Sequence, residues 1–205
     1  IVNGLVGSEM CIRDSDSYRP ERSKPKKKRV LIFSPHPDDD VISMGGTFSR
    51  LINQGHDVHV AYQTSGNIAV SDEKVLEIAE LIKRLTISLS IKELNKLIRD
   101  EKKKLEKNHI IWGAKFHDSL KSLLTKKIDF EGYSILNKIK GIIRKSEALQ
   151  ACNYLGLKKD KIYNLDMPFY QTGKIKKKDL SSVDIKIIQN LINKVKPHQI
   201  FAAGD

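Results

Sequence analysis

The stretch SPHPDDDVISMGG, residues 34–46, places one histidine and three consecutive aspartates between two apolar segments. Imidazole nitrogen and carboxylate oxygen are donors that zinc accepts, and a carboxylate can also move a proton in hydrolysis. If the chain turns here from strand into helix, His36 and Asp39 converge on one point, with Pro37 limiting the freedom of the loop. Asp38 then lies near the metal's open position, where it can take the proton of a bound water. One interpretation of the spacing is therefore a hydrolytic metal site.

A structural interpretation of the same residues stands beside the chemical one. Aspartates at the start of a helix accept hydrogen bonds from its free N–H groups and interact favourably with the positive end of the helix dipole. His36 can be a hydrogen-bonded loop residue. A His-x-x-Asp pair is a weak signal without its third ligand, so the spacing alone leaves both interpretations open.

The elements around this stretch predict an α/β fold, with an open, mostly parallel, Rossmann-like sheet and helices on both faces. RVLIFS, residues 29–34, is a short apolar run of the kind found in buried parallel strands. Residues 40–55 have helical apolar spacing and end at a glycine, and residues 56–64 read as a second strand, which completes a βαβ unit. Because ligands bind at the carboxyl ends of such strands, His36 and its neighbours are well placed for a site.

The rest of the chain continues the alternation of helices and strands. Residues 73 to about 127 are charged and mostly helical in pattern, which predicts a helical excursion from the sheet. A helix is predicted over 133–156 with Gly156 as its stop, then a strand over 161–166, a helix over 180–195 and a last strand over 197–205.

Composition narrows the class of protein. The 205 residues are 40% hydrophobic and 30% charged, which suits one α/β domain of ordinary size. The net charge of +12 would suit an acidic partner, but no aromatic residues interleave the lysines, so we expect a solvated surface and no nucleic acid. No run approaches the roughly 20 apolar residues of a membrane span. Cys11 and Cys152 form no CxxC pair, which favours a cytoplasmic protein in which Cys152 is simply buried.

The predicted domain boundary falls at Arg29. Residues 1–28 read as a non-native or linker segment that is expected to be disordered. The first fifteen, IVNGLVGSEMCIRDS, do not fit a signal peptide and are excluded from the fold. DSYRPERSKPKKK, which follows, is polar, basic and contains prolines, as an exposed linker does. The folded domain is expected to run over 29–205.

The first motif also carries a family resemblance. SPHPDDDVISMGGT resembles the A/P-H-P-D-D-E signature of the PIG-L, or LmbE-like, family of zinc-dependent N-acetylglucosaminyl deacetylases. The resemblance implies a Zn²⁺ cofactor, with another divalent metal as the alternative, His36 and Asp39 as metal ligands, and Asp38 as the catalytic base. Asp40 departs from the family's glutamate, which puts its role in doubt.

Two further segments add to the resemblance. IRKSEALQACNYLG is similar to the family's R-x-x-E helix, which implies Arg144 as a substrate-binding residue with Glu147 as its partner. A helix-surface ion pair at i, i+3 is the structural alternative. RPERSKPKKK, MPFYQTG and KPHQIFAAGD bring the chain closer to the deacetylase-like C-terminal part of glucosamine-6-phosphate deaminase-like proteins of bacteria. That resemblance implies a sugar-phosphate deaminase domain before the linker, fused or missing here.

The resemblance also implies an absent residue. The family's third metal ligand is a histidine shortly after the strand that corresponds here to QIFAAGD, and this sequence ends at Asp205. The domain is therefore expected to be incomplete at its C-terminus. His198 precedes that strand, at the wrong end of the sheet for the site.

Three functions follow from these observations. The leading hypothesis is a zinc-dependent hydrolase that removes an acetyl group from an N-acetylglucosamine-type amino sugar or a related small amide. The alternative is a catalytically silent sugar-binding or regulatory module of a glucosamine-6-phosphate deaminase-like protein. Nucleic-acid binding through the lysines is a third, and it predicts salt-sensitive association that is indifferent to His36.

Overall fold

A computed structural model describes residues 25–89, 92–93, 107–125, 130–170 and 178–202. Cys11 and nearly all of the predicted linker lie outside the described residues. Two compact units divide the chain: one takes the residues up to Ser65 and those from Lys145 onward, and the other takes Gly66–Arg144.

The first unit is built on a parallel sheet of four strands. The strands are β1 (Arg29–Ser34), β2 (Asp57–Tyr62), β3 (Ile162–Asn164) and β4 (Gln199–Ala202), in the order β3-β2-β1-β4. Every pairing is parallel, and Ser34 lies opposite Tyr62 in the register of β1 and β2. The predicted α/β class is confirmed, and residues that follow β1, β2 and β3 emerge at one edge of the sheet.

The described residues contain five α-helices. They are α1 (Asp39–Asn53), α2 (Asp72–Ser88), α3 (Lys107–Thr125), α4 (Phe130–Tyr154) and α5 (Ser182–Val195). The two predicted glycine stops are confirmed, since Gly55 and Gly156 have φ of +76° and +84° in the left-handed region. At each stop the next residue donates its N–H to a carbonyl five residues back, His56 to Leu51 and Leu157 to Cys152, which closes the helix end.

Alternate residues of the strands build two apolar layers on opposite faces of the sheet. Val30, Ile32 and Val60 pack on one face with Phe48 of α1 and Cys152 of α4. Leu31, Phe33 and Ala61 pack on the other with Leu191 and Val195 of α5. Each fully buried aliphatic side chain contributes about 1.5–3 kcal/mol relative to exposure, so these layers hold the strand ends in place. The prediction that Cys152 is a buried core residue is confirmed.

The second unit is helical, in agreement with the helical excursion that the sequence predicts. Its core contains Val75 and Ala79 of α2, Leu120 of α3 and Leu136 of α4. The Ser71 side chain accepts the N–H of Lys74 and so caps the start of α2. No helix in the described part of the chain is long and apolar enough to span a bilayer.

Candidate active site

The histidine and the three aspartates lie in the loop between β1 and α1 and in the first turn of α1, and hydrogen bonds hold this segment at both ends. The Ser34 hydroxyl lies 2.6 Å from the His36 carbonyl oxygen and accepts the Asp40 N–H at 3.0 Å. The Thr64 hydroxyl, just beyond β2, donates to the Pro35 carbonyl at 2.8 Å. The loop is therefore fixed by the ends of two neighbouring strands, a form of preorganisation that a site needs.

His36 of the loop and Asp39, the first residue of α1, converge. The Nδ1 atom of His36 lies 2.9 Å from Oδ2 of Asp39, and the same oxygen accepts the backbone N–H of His36 at 2.9 Å. The side chains are 37% and 33% exposed, so solvent or a ligand reaches both. The expected convergence is present in the structure, while the role of the pair as metal ligands stays a prediction.

The donor pair fits zinc in type and nearly in spacing. Zinc–nitrogen and zinc–oxygen bonds of about 2.1 Å at a tetrahedral angle separate the two donor atoms by about 3.4 Å. The observed 2.9 Å between Nδ1 and Oδ2 is therefore shorter than this separation by about half an ångström, a distance that a small side-chain rotation covers. The described residues contain no group of three His, Cys, Asp or Glu side chains that could hold a metal. A catalytic zinc usually has three protein ligands, so His36 and Asp39 alone would not complete such a site.

Asp38 does not act as a side-chain cap. It is the N-cap residue of α1 by position, but its side chain makes no cap hydrogen bond. Its carbonyl oxygen accepts the N–H groups of Val41 and Ile42 at 3.0 and 2.9 Å. The structural interpretation of the aspartates as helix caps therefore does not describe Asp38, and it does not describe Asp39, whose Oδ2 accepts from His36.

Asp40 points away from its two neighbours into a buried polar group. It is 2% exposed, and its carboxylate accepts from the Tyr62 hydroxyl at 2.9 Å and lies 3.3 Å from the Ser34 hydroxyl. The Tyr62 hydroxyl also lies 3.2 Å from the Cys152 sulfur. Burial raises the pKa of Asp40, and it raises the pKa of Tyr62 as well. Asp40 therefore holds the start of α1 through its buried hydrogen bonds to Ser34 and Tyr62. Its carboxylate does not lie with His36 and Asp39.

Tyr170 approaches His36 from the other side, and sequence reasoning missed it as a site residue. Its hydroxyl lies 3.2 Å from Nε2 of His36, and the two rings meet edge-on with centroids 5.5 Å apart. A signal was available, because MPFYQTG begins shortly after β3, where a parallel sheet presents residues at its carboxyl edge. Tyr62 could have been noticed in the same way, as the polar end of β2.

The model of the PIG-L family, described as GlcNAc-PI de-N-acetylase, matches residues 31–205. The chain belongs to the PIG-L family. This PIG-L chain is 47% identical over 191 residues to a protein of Bacteroides thetaiotaomicron described as glucosamine-6-phosphate deaminase-like, a match that covers 93% of the chain and 26% of that relative. Over 48 residues it is 42% identical to a diacetylchitobiose deacetylase of Thermococcus kodakarensis, covering 23% of the chain and 18% of that protein.

The PIG-L chain thus spans about a quarter or less of the length of these curated relatives. No solved structure is significantly similar to it. The PIG-L assignment confirms the resemblance carried by the His-Pro-Asp-Asp segment.

Two PIG-L positions predicted from the R-x-x-E helix lie on α4. Arg144 is half-buried with its Nε shielded from solvent, and Glu147 is exposed. The structure places Arg144 in the second unit and Glu147 in the first, so substrate binding by Arg144 stays a prediction.

Proposed function

We propose that the chain is the catalytic part of a metal-dependent de-N-acetylase that acts on an N-acetylglucosamine-type amino sugar. The observation that supports this most directly is the convergence of His36 Nδ1 and Asp39 Oδ2 in a loop held at the carboxyl edge of the sheet. The family description and the diacetylchitobiose deacetylase similarity both name deacetylation of such sugars. The proposed cofactor is zinc, held by His36, Asp39 and a third donor from outside the described residues.

The chemistry divides among three aspartates with different surroundings. Bound zinc would lower the pKa of water and polarise the amide carbonyl. Asp38, next to Asp39 along the chain and at the N-cap position of α1, accepts the proton of the attacking water. It then returns this proton to the amine as the C–N bond breaks, so the products are acetate and the free amino sugar. Asp40 remains in its buried contacts and fixes the start of α1.

Arg144 is proposed as a contact for the sugar, on the strength of the R-x-x-E resemblance. A guanidinium can bind hydroxyl or phosphate oxygens with two parallel hydrogen bonds. Arg144→Gln is expected to raise KM for the sugar with little change in kcat, because a binding contact shared by ground and transition states affects KM alone. Arg84→Gln, at an exposed position of α2, is the matched control.

The name of the Bacteroides relative fits this reaction in one further way. Removing the acetyl group from an N-acetylglucosamine unit produces a glucosamine unit, the sugar named in that relative's description. We therefore propose that the amino-sugar product is of the kind consumed by a deaminase.

The decisive experiment measures zinc content and release of acetate from N-acetylglucosamine derivatives. It uses this chain and the full-length Bacteroides relative with matching substitutions. Asp38→Asn is expected to lower the turnover rate about 100-fold or more, while the bound zinc is retained. Asp160→Asn, the same change at an exposed residue, should leave both unchanged. If neither protein holds zinc above background, the hydrolase proposal fails and the sugar-binding module becomes the better account.

A further inference from the structure

Tyr170 is held firmly against His36 by contacts on both sides of its loop. The N–H of Met167 donates to the Gln63 carbonyl at 2.9 Å, which ties the loop to the end of β2. The N–H of Tyr170 donates to the Met167 carbonyl at 3.1 Å, which closes a turn. The Tyr170 ring is half-buried, and it lies edge-on to both Phe169 and His36.

Asp184 anchors the same loop from the first turn of α5. This carboxylate is 1% exposed, and it accepts the Phe169 N–H at 3.1 Å and the Ser181 N–H at 2.9 Å. The Ser181 side chain in turn accepts the Asp184 N–H, which completes a capping box. Tyr170 is thus attached to β2 through Met167 and to α5 through Phe169, so its hydroxyl has little freedom to leave His36.

The proton positions on His36 follow from what each ring nitrogen faces. Nδ1 faces a carboxylate oxygen of Asp39, which is an acceptor only, so a neutral imidazole carries its proton on Nδ1. Nε2 is then an acceptor, and the Tyr170 hydroxyl donates to it. If Nδ1 instead ligates a metal, the ring proton must sit on Nε2. The Tyr170 hydroxyl can then accept a hydrogen bond from the Nε2–H group, because a hydroxyl is both a donor and an acceptor.

We propose that Tyr170 is the positioning residue for His36 and that its hydroxyl exchanges donor for acceptor when Nδ1 of His36 becomes a metal ligand. The proposal rests on the metal site of the proposed function. A carbonyl or carboxylate in this position would serve only the metal-bound tautomer, and a phenylalanine would serve neither. Outer partners of this kind fix the orientation of a ligand histidine, and their loss usually weakens metal binding 10- to 100-fold, roughly.

The first arm of the test uses the metal-free chain. Long-range ¹H–¹⁵N spectra of the histidine rings are recorded for the wild type, Tyr170→Phe and Tyr154→Phe, a matched change at a residue that is 92% exposed. The expected wild-type pattern is a protonated Nδ1 and a hydrogen-bonded Nε2 on His36. In Tyr170→Phe the Nε2 resonance should move downfield as its donor is lost, and in Tyr154→Phe it should stay. An unchanged Nε2 signal in Tyr170→Phe overturns the proposed contact.

The second arm adds zinc and measures affinity against a chromophoric chelator, with urea unfolding of each metal-free variant beside it. Tyr170→Phe is expected to bind zinc about 10-fold more weakly with unchanged stability, and Tyr154→Phe as tightly as the wild type. Equal affinities for all three proteins overturn the positioning role. If the wild type binds no zinc, the proposed metal site fails, while the metal-free spectra still decide whether Tyr170 donates to His36.

Discussion

Histidines lie at both edges of the parallel sheet, and their surroundings differ. At the amino edge, His56 Nδ1 accepts the Lys28 N–H at 3.0 Å and His198 Nδ1 accepts the Arg29 N–H at 2.9 Å. At the carboxyl edge, His36 Nδ1 faces a carboxylate and Nε2 faces a hydroxyl. The first two rings complete backbone hydrogen bonding at the start of β1, whereas the third stands among groups that can change partners. A histidine whose ring nitrogen accepts a backbone N–H is therefore interpreted as structural, and one whose ring nitrogens face side-chain groups is interpreted as a candidate ligand.

The largest expected effect tests that separation directly. His36→Ala should reduce retained zinc to background with little loss of stability, because the ring is partly exposed and bonds within its own loop. His198→Ala should leave zinc binding unchanged and cost about 1 kcal/mol in the free energy of unfolding, since a backbone donor loses its acceptor. Zinc content after dialysis and urea unfolding give the two readings. Loss of zinc in both variants would show that the edges are not independent.

The second prediction concerns the thiol beneath the carboxyl edge. Burial raises the pKa of Cys152 from 9.0 to about 11, which lowers its thiolate fraction about 100-fold at a given pH near neutrality. In a Cys11→Ser background, alkylation of Cys152 in the native state should therefore be at least about 100-fold slower than in urea. Mass spectrometry of the labelled chain over time measures this rate. Fast native labelling would mean that the layer under the site opens readily.

The third prediction compares two tyrosine hydroxyls, that of Tyr62 beside Asp40 and that of Tyr163 beside His59. Tyr62→Phe removes the hydroxyl that donates to Asp40 and leaves a buried carboxylate with fewer donors. The expected loss is about 2 kcal/mol in the free energy of unfolding, the usual range for a hydrogen bond to a charged group. Tyr163→Phe, whose hydroxyl meets His59 nearer the amino edge, is the control and should cost less. Urea unfolding of both variants decides between them.

The smallest effect belongs to Asp57, at the start of β2. The Lys161 ammonium beside it lowers the pKa of this carboxyl. Because the folded-state pKa lies below the unfolded value, the ion pair stabilises the protein at neutral pH and is lost as pH falls below about 4. Asp57→Asn should cost under about 1 kcal/mol at pH 7, since the side chain is 41% exposed, and progressively less as the pH falls below about 4. Thermal unfolding across this pH range measures the difference.

Sequence reasoning succeeded where one local pattern determined the outcome. The bounds of β1, the glycine stops of α1 and α4, and the burial of Cys152 all follow from apolar period and backbone conformation. The pairing of His36 with Asp39 could be expected because they lie three positions apart across one turn of the chain. These features require no knowledge of distant parts of the chain.

Sequence reasoning did not predict the contacts between distant segments, because no local pattern determines them. Tyr170 meets His36 across 134 residues, and Tyr62 meets Cys152 across 90. Neither pair has a spacing that marks it, because the sheet order and the loop anchored by Asp184 bring the partners together. The departure of Asp40 from the family's glutamate was visible in the sequence, but its meaning depended on Tyr62, which only the fold places beside it.

The contact between Asp40, Tyr62 and Cys152 also constrains how this protein can evolve. A glutamate at position 40 is one methylene longer and would meet the Tyr62 hydroxyl in a space that is already filled. Such a replacement is expected to be harmful alone and tolerated when position 62 or 152 becomes smaller. The three sites should therefore behave epistatically, with the benefit of each residue depending on the history of the other two.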